Sequence, residues 1–343
     1  MYTKQPKKLL IINILDILEK YTDENHRLCQ AKIVDKLKSE YGMEVNRKSI
    51  KPNILDLIDA GYDINYSEKT RNGNDAILTD FYINREFTDE ELRIIIDSLL
   101  FSKYIPCNQC SELVEKIEGL SSVYFKYKVK HVRNMPERYP KNNELFYSIG
   151  VLDEAIEKKL CVKFVYKDYG TDKKLKDRKT KNDKDKKYLV SPYQMAATNG
   201  RYYLIGNHIG FDNISYYRID RIADIELTDK PVRPAKEIKG CERGFDLPQH
   251  MAEHIYMFSG ESGTVVFKAK KYIINHILDW FGTEVTFYNE NEEDVTASVT
   301  VNLEAMKYWA MQYAEHIKVL SPQSLVEDIK RDLKKAVEMY DEE

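Results

Sequence analysis

Apolar residues recur every three to four positions in the first part of the chain, which is the spacing of amphipathic helices. The pattern runs over residues 7–20 and again over about 29–41. A third helix is predicted to begin near Asn46, a candidate N-cap, and to end at Gly61. Three short helices with a compact turn between the last two indicate a helix-turn-helix.

After the third helix, apolar and polar residues alternate in the manner of strands. Residues 62–66 and 77–83 make two such runs, and the Asn72-Gly73 pair between them favours a tight hairpin turn. A hairpin in this position would be the wing of a winged helix. We therefore predict a winged helix-turn-helix over residues 1–84.

Helical spacing returns over residues 85–144, where Thr88 and Glu91 have the positions of a capping box. This segment is predicted to be a helical linker. One more amphipathic helix, over 145–160, leads into strand-length runs separated by Gly, Asn and Asp. These runs predict a small, strongly bent sheet or barrel of about five strands over residues 145–230.

Two further segments complete the organisation of the chain. Residues 171–187, between the first two strands of the predicted barrel, hold nine basic and four acidic residues and are predicted to be a solvated loop. Residues 231–260 are interpreted as a second linker. Residues 261–343 alternate strands and helices in an order that predicts a small α+β domain with a split βαβ arrangement. The predicted fold class is a multi-domain α+β protein.

The second helix of a helix-turn-helix pair enters the major groove of DNA, so its N-terminal residues meet bases and phosphates. Cations at this end are unfavourable beside the helix dipole, and a polyanionic partner would offset that cost. A solvated helix end is the alternative explanation. The predicted DNA-binding residues are Asn46, Arg47, Lys48, Ser49, Lys51 and Asn53.

Pro52 complicates this prediction. A helix that began at Asn46 would place Pro52 in its second turn, where the proline removes a backbone hydrogen bond. Either the helix begins near Lys51 or it is kinked, and the residues that face DNA change accordingly.

Tyrosines and arginines concentrate in residues 200–206 and 215–222. Aromatic faces beside guanidinium groups form a platform on which bases stack and phosphates bind. The cationic donors are Arg201, His208, Arg218 and Arg221, and the flat faces are Tyr166, Tyr193, Tyr202, Tyr203, Tyr216 and Tyr217. Tyr202 and Tyr216 are assigned to the core or its rim.

Arg218 and Arg221 are three residues apart, so a regular strand would point them in opposite directions unless a bulge intervenes. An arginine among apolar neighbours is costly to bury without an anionic partner. A bound anion would supply that partner, and we favour a ligand role for both arginines. Internal ion pairs with Asp220 or Asp224 are the competing explanation.

Composition narrows the class of protein. The chain has 343 residues, of which 32% are charged, with a formal net charge of −3. This length suits roughly two or three domains, and the near balance of charge confines any nucleic-acid surface to local patches. No run of about 18 uncharged apolar residues occurs, so we predict a cytoplasmic protein without a membrane segment.

Catalytic and metal-binding patterns are weak in this sequence. Cys107 and Cys110 form a single CxxC, which could be half a zinc site or a redox pair, and we interpret it as two reduced cysteines at a helix start. No nucleophile elbow, phosphate-binding glycine loop or HExxH motif occurs. The sequence therefore predicts neither an enzyme nor a bound metal or cofactor.

The passages YLVSPYQMAATNGRYYLIG and YRIDRI resemble those of the WYL-domain transcriptional regulators. The tripeptide that names that family reads Tyr202-Tyr203-Leu204 here, with tyrosine in place of the first tryptophan. The resemblance covers essentially the whole chain and implies a winged helix, a helical linker, an Sm-like β-barrel and a C-terminal WYL extension. It also implies an effector-binding site made of Tyr193, Gln194, Tyr203, His208, Arg218 and Arg221.

The function implied by the resemblance is that of a ligand-responsive DNA-binding regulator. The barrel would bind an anionic effector, either nucleotide-like or a nucleic acid, and the C-terminal extension would help to pair two subunits into a homodimer on double-stranded DNA. An alternative, suggested by CRISPR-associated members of the family, is an accessory protein that binds RNA or single strands and modulates a partner nuclease. Pro52 stands where relatives more often have a cation.

Overall fold

The computed structural model describes residues 6–71, 75–125, 142–180, 186–242 and 244–341. Two compact units divide the chain, one over Met1–Lys141 and the other over Asn142–Glu343. Both units combine helices with antiparallel strand pairs, which confirms the mixed α+β class expected from the sequence.

Three helices begin the first unit: α1 (Leu10–Tyr21), α2 (Gln30–Tyr41) and α3 (Ile50–Asp59). Their apolar faces form one cluster in which Ile17, Ile33 and Ile54 are fully buried. Helices this short are marginal in isolation, so this shared core is what stabilises them.

The third helix begins later than its candidate N-cap suggests. Arg47–Ser49 form a single 3-10 turn, and the Asn46 side chain accepts a hydrogen bond from the Lys48 N–H at 2.9 Å. The α-helix then starts at Ile50, so Pro52 lies in the first turn, where its missing N–H has no helical partner to lose. Of the two alternatives left open by the sequence, the later start is observed.

A hairpin follows the three helices, made of β1 (Ile64–Arg71) and β2 (Asp75–Ile83). The predicted Asn72-Gly73 turn lies outside the described residues. Leu28 and Phe81 exchange two backbone hydrogen bonds of 2.9 Å, which tie the hairpin to the segment between α1 and α2.

Two helices complete the described part of the first unit, α4 (Asp89–Phe101) and α5 (Cys107–Glu118). The predicted capping box is present, because the Glu91 N–H donates to Thr88 Oγ1 and the Thr88 N–H donates to the Glu91 carboxylate. Cys107 is the first residue of α5, and neither it nor Cys110 forms a disulfide.

The second unit begins with α6 and a six-stranded sheet, which we call the central sheet. These elements are α6 (Leu145–Lys158), β3 (Leu160–Tyr169), β4 (Leu175–Asp177), β5 (Lys187–Thr198), β6 (Arg201–His208), β7 (Ser215–Arg218) and β8 (Ile222–Pro231). The strand order is β4-β3-β5-β6-β7, and β8 pairs with β3. A 3-10 turn, Ile219–Arg221, connects β7 at one end of the sheet with β8 beside β3.

The structure corrects the prediction that residues 171–187 form only a solvated loop. Leu175–Asp177 are a short strand paired with the end of β3, with Lys167 opposite Asp177 and Tyr169 opposite Leu175. Cross-strand pairing of Lys167 with Asp177 brings opposite charges together, which favours this register. Residues 181–185 lie outside the described residues.

The segment 231–260, interpreted from the sequence as a linker, contains a helix, α7 (Leu247–Glu253). Leu247 and Met251 pack in a cluster with the buried Ile205 of β6. The segment therefore covers part of the central sheet rather than merely joining two domains.

The chain ends in a second α+β arrangement. Its elements are β9 (Ser262–Lys270), α8 (Ile274–Phe281), β10 (Thr286–Tyr288), β11 (Asp294–Asn302), α9 (Leu303–Gln312), β12 (Ile317–Ser321) and α10 (Gln323–Asp341). The strand order β10-β11-β9-β12 places β11 between β9 and β10, so each βαβ unit is split as the sequence predicts. Trp309 lies at the centre of the core, with its ring 5.5 Å from that of Phe267 and 4.7 Å from that of Phe281.

Gly206 lies where the backbones of β5 and β6 approach each other closely. A Cβ atom at Gly206 would lie 2.6 Å from the Ser191 carbonyl oxygen, whereas a Cβ at Gly150 in α6 would meet nothing within 4 Å. We expect Gly206→Ala to destabilise the second unit by about 1–3 kcal/mol, because the strands must separate. The matched change Gly150→Ala should stabilise it by roughly 0.5–1 kcal/mol through helix propensity.

Urea unfolding followed by circular dichroism measures both changes. Shifts of the unfolding midpoint in the same direction for the two variants would contradict the close approach of β5 and β6.

Candidate functional site

Arg218 and Arg221 are not joined by a regular strand. Arg218 is the last residue of β7, and Arg221 is the last residue of the 3-10 turn that follows. The charges of both arginines act on the Tyr203 hydroxyl, so both guanidinium groups lie near it. Tyr203 lies opposite Arg218 in the register of β6 and β7. The structure therefore brings together three of the six predicted effector-binding residues.

Arg218 is paired internally. Its Nε and Nη2 atoms donate to the two carboxylate oxygens of Asp220 at 3.0 and 2.5 Å, and the side chains are only 11% and 8% exposed. Burial alone would lower the pKa of Arg218, but the Asp220 carboxylate outweighs it and the pKa is raised. Of the two acids considered from the sequence, Asp220 is the partner, while the Asp224 N–H donates to Glu144.

Arg221 is paired less completely. Its Nη1 lies 3.4 Å from Asp168 Oδ1, and its guanidinium carbon lies 5.0 Å from the centre of the Tyr169 ring. The Arg221 Nε and the Tyr169 hydroxyl are buried and have no hydrogen-bond partner among the described residues. Buried polar groups are normally hydrogen-bonded, so both atoms keep a hydrogen-bonding capacity that no described group uses.

A third arginine, Arg178, shares the Asp168 carboxylate. Arg178 contacts both oxygens of Asp168, with Nη2 to Oδ1 at 3.1 Å, and its guanidinium carbon lies 4.9 Å from the centre of the Tyr166 ring. The hydrogen bonds to Asp168 raise the pKa of Arg178. Sequence reasoning missed both residues, because Arg178 belongs to the basic segment and Asp168 ends a different strand.

We call this group the seam cluster, because it lies where β7 passes into β8 beside the end of β3. Its members are Asp168, Tyr169, Arg178, Tyr203, Arg218, Asp220 and Arg221. Three guanidinium groups share two carboxylates, which leaves one positive charge in excess. Burial raises the pKa of the Tyr203 phenol, which therefore stays protonated and able to donate a hydrogen bond.

The other predicted effector-binding residues lie elsewhere. Tyr193 packs in the cluster under α7, and its hydroxyl donates to the Arg233 carbonyl at 2.8 Å. Gln194 is half-buried on β5, opposite Ile205. His208 is five residues along β6 from Tyr203, a separation of about 16 Å in an extended strand, and it packs between Tyr188 and Phe211. We find no direct contact between these three residues and the seam cluster arginines among the described residues.

The predicted DNA-binding residues divide into two groups. Asn46, Ser49 and Asn53 hold the turn before α3, since Ser49 Oγ donates to the Asn46 carbonyl at 2.6 Å and Asn53 Nδ2 donates to the Ser49 carbonyl at 2.7 Å. Arg47 and Lys48 are exposed, and Lys51 is half-buried. Cations and backbone N–H groups therefore meet at one end of α3, which is a favourable place for a phosphate.

Two protein-family models match most of the second unit. Residues 148–227 match the WYL domain, and residues 261–337 match the WCX domain. The chain therefore contains a WYL domain followed by a WCX domain. The WYL match runs from α6 into β8 and includes every member of the seam cluster, and the WCX match covers β9 to α10.

Two solved structures are similar to this WYL-domain protein over 98% of its chain. Proteasome accessory factor B/C (PafBC) of Arthrobacter aurescens is 12% identical with a TM-score of 0.28, and this chain spans 50% of its length. A CRISPR Cas-related protein is 12% identical with a TM-score of 0.36 and is covered over 87% of its length. No curated protein matches the chain.

Neither a metal centre nor a membrane span is found in the parts of the WYL-domain protein that the structure describes. No group of three or more His, Cys, Asp or Glu side chains there is placed to hold a metal ion. No helix there is both long enough and apolar enough to cross a bilayer.

A buried histidine pair covers the edge of the WYL domain beside Tyr216. The Tyr216 hydroxyl lies 2.7 Å from His250 Nε2, and the His250 and His254 rings stack at 3.9 Å. Burial, with the neighbouring His254, lowers the pKa of His250 to about 3. His250 is therefore neutral at physiological pH. Tyr216 packs against this histidine pair, in keeping with its assignment to the core or its rim.

This shift predicts how stability depends on pH. The pKa of His250 is about 3 in the folded protein and 6.5 ordinarily, so the unfolded chain binds the proton first as pH falls. The contribution is fully present above about pH 6.5 and is lost progressively below it. We expect His250→Gln, which cannot titrate, to lose less stability than the unmodified protein between about pH 7.5 and pH 5.

The measurement is the free energy of unfolding in urea at the two pH values. Equal losses in the two proteins would contradict a neutral, buried His250.

Proposed function

We propose that this WYL-domain protein is a ligand-responsive, DNA-binding transcriptional regulator that acts without catalysis. The observation that carries the proposal is the excess positive charge of the seam cluster, where Arg221 has an unused buried donor beside the unused hydroxyl of Tyr169. Such a site suits an anionic effector that carries an aromatic base, namely a nucleotide or a nucleic-acid strand.

Within this proposal, the first unit is a winged helix that reads double-stranded DNA. Arg47 and Lys48 project from the 3-10 turn before α3, while Asn46, Ser49 and Asn53 fix the shape of that turn. A rigid turn that presents two exposed cations is suited to phosphate contact. While one N–H of the Asn53 amide stays bonded to Ser49, the second N–H and the side-chain oxygen can contact a base.

The effector site in the proposed Sm-like barrel is centred on Tyr203 and Arg221. Arg218 contributes its charge and its pairing with Asp220, and Tyr193, Gln194 and His208 lie outside the centre. Removing Arg218 would leave the buried Asp220 without a partner, at a cost of about 3–5 kcal/mol, so Arg221 is the residue to test.

A homodimer in the cytoplasm completes the proposed function, because paired half-sites on DNA need paired readers. The C-terminal half of α10 supports pairing, since it exposes Leu333, Val337 and Tyr340 at the spacing of one helix face.

The second candidate is an accessory protein that binds RNA or single-stranded DNA and modulates a partner nuclease. Tyrosines beside the excess cation favour it, because stacking does not depend on base sequence. Sequencing of duplex DNA captured by the protein separates the two candidates. A palindromic operator supports the regulator, and tight binding of unstructured strands without duplex preference supports the accessory protein.

For the DNA-reading turn, we expect Arg47→Ala and Lys48→Ala to weaken duplex binding about equally for all sequences. Each change should reduce the slope of log affinity against log salt by about 1, because one phosphate contact is lost. Fluorescence anisotropy with the captured duplex, over a series of salt concentrations, measures both quantities. Lys38→Ala is the control, an exposed lysine of the same unit near Glu44. Unchanged affinity and slope in both test variants would exclude this turn from the DNA interface.

For the effector site, we expect an anionic species to copurify with the unmodified protein and to be lost in Arg221→Ala. A hydrogen bond to a charged group contributes about 1.5–3 kcal/mol, so affinity should fall about tenfold or more. Mass spectrometry of the released ligand measures the loss, and Arg331→Ala, a surface arginine of α10 paired with Asp328, is the control. Retention of the species in Arg221→Ala would place the effector elsewhere.

A further inference from the structure

The Asp168 carboxylate contacts two arginines, Arg178 and Arg221, and makes more hydrogen bonds to the first than to the second. Arg178 makes contacts to both of its oxygens, whereas Arg221 makes a single contact of 3.4 Å to Oδ1. A guanidinium group has five N–H donors in a rigid fork, and the Nε of Arg221 is buried and unused among the described residues. Arg221 is therefore only partly neutralised.

The hydroxyl of Tyr169 lacks a partner at the same place, as far as the described residues extend. It is buried, it follows Asp168 directly in β3, and its ring lies under the Arg221 guanidinium group. The unused Arg221 Nε and the unused Tyr169 hydroxyl thus belong to two side chains that are in contact, beside a surplus positive charge. An anionic oxygen is a strong acceptor for donors of this kind.

We propose that Asp168 is an internal competitor of the effector, whose anionic oxygen replaces the Asp168 carboxylate at Arg221. This inference rests on the proposed effector site and adds a specificity determinant to it. Asp168 keeps its two contacts to Arg178 when the exchange occurs, so the β3–β4 hairpin stays anchored while Arg221 changes partner.

The exchange makes the site selective among anions. Asp168 is 44% exposed, so its hold on Arg221 is partly screened by water and a well-placed phosphate can displace it. The displaced carboxylate stays nearby and repels any anion that makes only one contact. A ligand with several phosphates offsets this repulsion through contacts elsewhere in the cluster, and a lone small anion does not.

Asp168→Asn tests the proposal, because asparagine keeps the shape and removes the charge. The probes are a fluorescein-labelled oligothymidylate and inorganic pyrophosphate, the latter followed by calorimetry. We expect the variant to bind both probes about two- to fivefold more tightly than the unmodified protein, as removal of one screened ion-pair partner allows. Tighter binding of the oligothymidylate alone identifies a nucleic-acid strand as the source of the anion, and tighter binding of both identifies the phosphate group itself.

Two controls keep the result interpretable. Asp168→Glu retains the charge and should bind like the unmodified protein. Asp177→Asn removes the partner of Lys167 in the same β3–β4 hairpin, outside the seam cluster, and should also leave affinity unchanged. Circular dichroism verifies that each variant is folded.

The outcomes separate this inference from the proposed function. If the unmodified protein binds the probes and Asp168→Asn binds them no more tightly, the competitor role is wrong and the effector site stands. The competitor role is equally wrong if Asp177→Asn tightens binding as much as Asp168→Asn does. If neither the unmodified protein nor Asp168→Asn binds either probe, the effector site itself is overturned.

Discussion

Burying a guanidinium group is costly unless hydrogen-bond acceptors, most effectively a carboxylate, accompany it, and this constraint organises one end of the central sheet. The Arg218–Asp220 pair lies almost entirely away from water, with two parallel hydrogen bonds. The backbone N–H of Arg218 also donates to the Tyr166 hydroxyl at 3.0 Å, which joins the end of β7 to β3. The ion pair and this hydrogen bond hold the end of β7 against β3. This arrangement places Arg221, three residues further along the chain, beside Asp168 and Tyr169 at the end of β3.

Local signals in the sequence predicted local structure well. The capping box at Thr88, the alternation in the hairpin of the first unit and the strand-length runs of the second unit all reflect interactions within a few residues. The pairing of Arg218 with Asp220 was also foreseeable, because the two residues are neighbours in the chain. The spacing of apolar residues and the choice of capping residues reflect the same short-range steric contacts and hydrogen bonds that stabilise the folded helices and strands.

Long-range partners could not be read from the sequence. Arg221 meets Asp168 across 53 positions, and Arg178 reaches the same carboxylate only because a three-residue strand forms in a segment that looked like a charged loop. Strand register decides these contacts, and neither composition nor spacing specifies register here. Two 3-10 turns, Arg47–Ser49 and Ile219–Arg221, were missed for a related reason, since a single tight turn leaves no periodic pattern.

The turn Ile219–Arg221 also limits how the protein can change over evolution. Three residues make one revolution of a 3-10 helix, so inserting or deleting a single residue there would rotate Arg221 by about a third of a turn. The side chain would then leave the Tyr169 ring, although every amino acid of the cluster would still be present. The length of this connection is thus restrained in addition to the identity of Asp220, and a homologue with a longer link would place this arginine elsewhere.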